Sequence, residues 1–130
     1  MNKQPVAIGL LICDQVIVEA RTGNVTPVNC FNKKLVPKFP TGRMPFVVFA
    51  VLTDGSGEMP LDILAHRLDN YEEVYRFSYS IKFSSPLEEI RCTVRLRGCS
   101  FPVAGAYQVS LWVGRESVAQ AKIILMEKTQ

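Results

Sequence analysis

The alternation that runs from Tyr107 to Leu125 limits the folds open to this chain more than any other feature. Tyr107, Val109, Leu111 and Val113 alternate with Gln108, Ser110 and Trp112, the period of two expected of a strand with one buried face. Gly114-Arg115-Glu116 supplies a turn, and Ala119, Ala121, Ile123 and Leu125 return on one face, so the stretch reads as a β-hairpin. Pro102 and Gly105 bound its first strand, in the manner of residues that break regular structure.

Strand signals recur along the rest of the chain. Glu73 to Phe83 sets Tyr75, Phe77, Tyr79, Ile81 and Phe83 inward against Arg76, Ser78, Ser80 and Lys82, five large residues expected to dominate the core. Ile90 to Leu96 opposes Ile90, Cys92, Val94 and Leu96 to a basic face of Arg91, Thr93, Arg95 and Arg97. Leu61 to Leu68 fits both helix and strand by pattern, and its neighbours favour strand. Val6 to Glu19 holds two apolar bursts parted by Asp14-Gln15, which implies a bulge or a switch between sheets. Gly23-Asn24 then provides positive φ for a turn, and Val25 to Phe31 returns as a strand that Pro27 confines to an edge or a bulge. Asn32 to Pro45 carries Lys33, Lys34, Lys38 and Arg43 among three prolines and a glycine, the composition of an exposed crossover loop. Asp54-Gly55-Ser56-Gly57 is turn material.

About seven or eight short strands divided by Gly, Pro and Asp/Asn turns define an all-β, antiparallel two-sheet β-sandwich, immunoglobulin-like in architecture, with a closed barrel as the alternative. The 130 residues, of which 48% are hydrophobic, suit one domain over residues 1–130. The longest apolar run, Val6 to Cys13, falls well short of the roughly 18 residues of a membrane span, and Asp14 directly after it argues against a signal peptide. A soluble, cytoplasmic protein without a membrane partner is expected. The four cysteines, Cys13, Cys30, Cys92 and Cys99, include no C-x-x-C pair, and His66 is the single histidine, a layout unlike a zinc site. Free thiols fit the reducing cytoplasm, and no cofactor is expected.

Phe46 to Thr53 is the feature that points outward. Val47, Phe49 and Val51 lie opposite Phe46, Val48 and Ala50, so the strand is apolar on both faces and its second face needs a cover. The crossover loop, a second copy of the protein or a partner would each serve. Trp112 falls on the polar side of its strand, where it is either a stacking or anchoring surface or is covered by the Asn32–Pro45 loop. Arg91, Arg95 and Arg97, joined by Arg76 and Lys82 if their strands pair, would track phosphates; the plainer account is a solvated face that protects an edge. A net charge of +3 does not by itself imply nucleic acid. Asp14, Asp54, Glu58, Asp62 and His66 are the polar groups available for a metal or acid–base site, but they match no ligand or catalytic spacing.

Taken in order, Leu11-Ile12-Cys13-Asp14 before Val16-Ile17-Val18-Glu19, Phe39-Pro40 before the Phe46 strand, Phe101-Pro102, Gly105-Ala106-Tyr107, and Leu111-Trp112-Val113 with Gly114 form a series. This series resembles a family of short bacterial proteins of unknown function with a cytoplasmic β-sandwich. The resemblance implies a fold and a setting and brings no catalytic residues. The reading is a non-catalytic protein-interaction or assembly module, through Val47, Phe49, Val51 and Trp112, with a homo-oligomer as the simplest form. The alternative is a polyanion-binding module using Arg91, Arg95 and Arg97.

Overall fold

The hairpin read from the C-terminal alternation forms as β9 (Gly105–Val113) and β10 (Glu116–Glu127), joined through Gly114 at φ 64° and Arg115. They belong to a computed structural model that describes residues 3–129, with ten strands. The others are β1 (Val6–Cys13), β2 (Gln15–Val18), β3 (Val25–Val28), β4 (Lys33–Val36), β5 (Phe46–Thr53), β6 (Gly57–Arg67), β7 (Glu73–Phe83) and β8 (Ile90–Leu96). Three sheets result, in the orders β1-β5-β8, β4-β10-β9-β6-β7 and β2-β3. Every pairing is antiparallel except β4 with β10, which is parallel.

The described chain is therefore all-β, but with ten strands in three sheets, the five-stranded one mixed, rather than seven or eight in two antiparallel sheets. One source of the difference is the expected crossover loop, in which Lys33 to Val36 pairs with Ile124 to Glu127. Four residues with two lysines and a following proline carry too little alternation to reveal a strand, yet lysines suit an edge, where charge discourages unwanted pairing. The other source is the turn at Asp14. It sends the chain from β1 into the separate two-stranded ribbon of β2 and β3, the sheet switch that the interrupted apolar run implies. Pro27 stands in that ribbon opposite Val16.

One buried cluster joins the inner faces of the two larger sheets. It takes Phe46, Val48, Ala50 and Leu52 from β5, Leu61, Ile63 and Ala65 from β6, Val109, Leu111 and Val113 from β9, and Ile123 and Leu125 from β10. Its largest members are Tyr107, Phe46 and Phe101, all essentially without exposed surface. The Phe101 and Tyr107 rings meet edge-on at 4.7 Å, an arrangement that aromatic quadrupoles favour. The Tyr107 hydroxyl donates to the Val103 carbonyl at 2.6 Å and accepts from its N–H at 3.3 Å, so the loop before β9 is tied to the core by its polar end. These residues hold the place expected for the β7 row. Ile81 and Phe83 are buried, but Tyr75 and Tyr79 are half-buried and Phe77 is exposed, because β7 is the last strand of its sheet. An edge strand has its inner face covered only where the opposite sheet reaches it.

Local chemistry fixes two of the boundaries. Pro60 lies inside β6, and its carbonyl accepts the N–H of Gly114, so its missing donor falls where β9 has already turned away. Before β6, Asp54 (φ 63°) and Gly57 (φ 79°) form the tight turn, and Gly55 packs against the ring of Phe83. A β-carbon at Gly55 would stand 2.5 Å from that ring. β1 contains a bulge at Gly9 (φ 71°), where the pairing with β5 shifts between Ile8 and Leu10. The extra residue keeps Ala7, Leu10 and Ile12 toward the core and turns Ile8 and Leu11 to the outer face, opposite Val51 and Phe49.

The ribbon crosses that outer face. It leaves β1 at Asp14, packs β2 against β5, and at its tip the Gly23 carbonyl accepts Arg91 Nη1 from β8 at 2.5 Å. At its root, Asp14 accepts Asn29 Nδ2 at 2.5 Å and Lys34 Nζ at 3.4 Å. These contacts, the Asn29 hydrogen bond first and the Lys34 charge after it, hold the Asp14 carboxyl below its ordinary value of 3.8.

Two predictions follow from these contacts. Gly55→Ala should destabilise the fold by about 1–3 kcal/mol, since the Phe83 ring is core and must move; chemical denaturation of both proteins measures this. Asp14→Ala should cost less than about 1 kcal/mol at neutral pH, because the pair is partly exposed. A depressed carboxyl stabilises the fold above its unfolded value and loses that contribution as pH falls through the folded one. The gap between parent and Asp14→Ala should thus stay constant above pH 3.8 and close below it, as denaturation in acid would record.

Candidate functional site

Register places the candidate residues on known faces. In the sheet of β1, β5 and β8, Val47 stands between Cys13 and Arg95, Phe49 between Leu11 and Thr93, and Val51 between Ile8 and Arg91. These nine residues form the outer face, pointing away from the core cluster. Val47 and Phe49 are 3% and 7% exposed and Val51 is half-buried, so the second face of β5 is covered within the chain. The β2–β3 ribbon, with β2 packed against β5, supplies this cover, while the segment after β4 turns toward Phe101 and Cys99. Sequence reading missed this because a ribbon of eight paired residues has no marker that tells which face of which strand it will cross.

The cover is incomplete. Val6, Ile8 and Leu11 continue the outer row along β1 at 54%, 56% and 42% exposure. Ile17 and Val18 of the ribbon are also more than half exposed. The apolar surface expected at β5 is thus displaced by one strand, onto β1 and the ribbon.

Arg91 and Arg95 share this outer face, at the far side of β5 from β1. Arg97 lies just beyond the end of β8 and is exposed. Arg76 and Lys82 do not join them, because β7 pairs with β6 in the five-stranded sheet and not with β8. Arg76 is instead held by Glu73 at 2.9 Å. β7 and β8 are the unpaired edges of opposite sheets, and a cleft of about 580 Å³ runs between them, with Phe77, Tyr79, Ile81 and Val94 beside Arg91 and Arg95. Burial, reinforced by the Cys92 thiol across the gap, pushes the Tyr79 hydroxyl far up from its ordinary acidity.

Trp112 lies on the outer face of the five-stranded sheet, between Asp62 and Ser117, half-buried. Its indole N–H donates to Ser110 Oγ at 3.0 Å, and Asp62, Leu64 and Arg76 line a small hollow beside it. The segment after β4 turns elsewhere: Thr41 and Met44 donate their N–H groups to the carbonyls of Phe101 and Cys99. Trp112 and the β5 residues therefore occupy faces of two different sheets and form no common site.

The polar candidates are scattered too. Asp14 belongs to the ribbon root, Asp54 to the turn before β6, Asp62 is bound by the Ser78 hydroxyl, and His66 stacks on Tyr71 at 6.2 Å. Among the described residues no three of His, Cys, Asp and Glu gather as metal ligands would. Cys92 and Cys99 are buried, as alternation predicts for Cys92, and burial pushes the Cys99 thiol up to about 12. A second open cleft, of about 670 Å³, separates β1 from β10, where β4 no longer covers the β10 edge; Leu10, Leu11, Cys30, Phe31, Gln120 and Lys122 line it.

No curated protein matches the sequence. A family model does, over residues 9–126, from the Gly9 bulge through nearly all of β10. On that match the chain belongs to DUF6941, a family of unknown function.

Proposed function

We propose that the protein is a non-catalytic interaction or assembly module that pairs with a second copy of itself through the outer face of β1. The observation that carries this reading is the apolar row of Val6, Ile8 and Leu11 on the outer face of β1, which the ribbon leaves open beside the buried Val47 and Phe49. Scattered apolar residues are ordinary on any surface, but a contiguous set beside a buried apolar row is characteristic of an interface. A two-fold pairing is the simplest form, since it uses one patch twice and closes. The separation of the polar candidates supports a role without catalysis. In this reading the two larger sheets are the layers of an immunoglobulin-like sandwich, to which the Tyr107–Val103 corner is the best local support.

Polyanion binding is the second reading, supported by Arg91 and Arg95 on one face of the β7–β8 cleft. It is weaker, because Arg91 is engaged with the ribbon tip and the remaining basic residues point from another sheet.

Ile8→Glu and Leu11→Glu alter exposed positions and should leave the fold intact, whereas Phe49→Glu would bury a charge and unfold it. Sedimentation or light scattering across a micromolar concentration series should find a dimer for the parent and at least tenfold weaker association for Ile8→Glu. A parent that stays monomeric through the series excludes the self-pairing. Retention on single-stranded DNA that falls steeply with salt, and is abolished by Arg95→Glu, would favour the polyanion reading.

A further inference from the structure

At the root of the ribbon the chain brings two cysteines face to face. The Asp14 N–H donates to the Val28 carbonyl at 3.0 Å, and the Phe31 N–H donates to the Ile12 carbonyl at 2.9 Å. Between these bonds a single residue, Cys13, opposes two, Asn29 and Cys30, which is a bulge of the wide kind. Asn29, at φ 55°, takes the left-handed conformation that admits the extra residue. Positions lying between ladder bonds are those where opposing side chains come closest, with Cα atoms about 4.5 Å apart in a regular ladder. Disulfides span Cα separations of about 4.4–6.8 Å. The thiols also sense one another: after burial, the charge on Cys30 is the largest influence raising the Cys13 thiol, while hydrogen bonds from the backbone of Val28 and Gln15 oppose it.

We propose that Cys13 and Cys30 form a thiol–disulfide exchange site that takes a low-molecular-weight disulfide of the glutathione type. The two residues differ in access, and access assigns their roles. Cys30 is exposed and lines the open cleft beside β1, so it meets the reagent. Cys13 has no exposed surface and resolves the intermediate. The Cys30 thiolate attacks one sulfur of the small disulfide, the S–S bond breaks, and the displaced thiolate leaves and takes up a proton. Cys13 then loses its proton and attacks the Cys30 sulfur of the mixed disulfide, expelling the second small thiolate. One small disulfide is reduced to two thiols, and the protein gives up two electrons and two protons. The new bond joins β1 to the strand returning from the ribbon and fixes the cover over Val47 and Phe49.

The test is to equilibrate the reduced, folded protein in mixtures of reduced and oxidised glutathione, quench with acid, alkylate with N-ethylmaleimide, and map the products by mass spectrometry. The expected product lacks two hydrogens and links the peptide holding Cys13 to the one holding Cys30. Cys13→Ser should instead accumulate a mixed disulfide with glutathione on Cys30, and Cys30→Ser, an exposed change, should remain reduced. A parent that stays fully reduced in oxidised glutathione, that stops at a mixed disulfide, or that links Cys92 or Cys99 would overturn the assignment. The parent measurement decides the matter even if Cys13→Ser fails to fold.

Discussion

Burial of β5 on both of its faces is the constraint from which the rest of the architecture follows. Its even-numbered row, Phe46, Val48, Ala50 and Leu52, reaches the common core, and its odd-numbered row, Val47 and Phe49, is nearly as deeply covered on the other side. A single sheet-on-sheet interface can bury only one of these rows. The second needs another layer, and the chain makes it by leaving β1 at Asp14 and laying the β2–β3 ribbon across the strand as far as Arg91. The Asp14 contacts, the Asn29 bulge and the closeness of Cys13 to Cys30 all belong to the one corner that this detour requires.

How much of this was legible depended on whether a residue's neighbours along the chain were also its neighbours in space. The β9–β10 hairpin and β8 show alternation and local turns, and apart from Ser110 their buried residues are among those the pattern names, whereas β6 fits helix and strand alike until its neighbours are weighed. β4 was hidden because its partner lies at the other end of the chain, and pairing of that kind leaves no local trace. Alternation also fails to distinguish a central strand from an edge, which is why Phe77 and Tyr79 read as core and sit at a rim. The candidate site behaved in the same way. Two apolar faces on Phe46–Thr53 were plain in the sequence, whereas the identity of the cover, and so the displacement of the open surface onto Val6, Ile8 and Leu11, depends on tertiary placement.

The free edges show a division of labour between charge and apolar surface. At the β7 and β8 edges, Arg76, Lys82, Arg91 and Arg95 alternate with residues turned toward the core, an arrangement that discourages indiscriminate strand addition. The β1 side has no such charges between Val6 and Cys13. Charge thus lies on one flank of the three-stranded sheet and open apolar surface on the other.

The parallel pairing of β4 with β10 also sets an order of events during synthesis. Lys33 finds its partner in Ile124, and Val36 in Glu127, so β4 has no sheet to join until almost all of the described chain has been made. The hairpin of β9 and β10 can close as soon as it exists, because its contacts are local. Of the N-terminal strands only β4 must wait for it, since the ribbon pairs within itself and β1 pairs with β5, and loop closure over that distance makes the β4 contacts slow to form. A nascent chain of this protein therefore presents its most apolar strand before it presents the sheet that will shelter it.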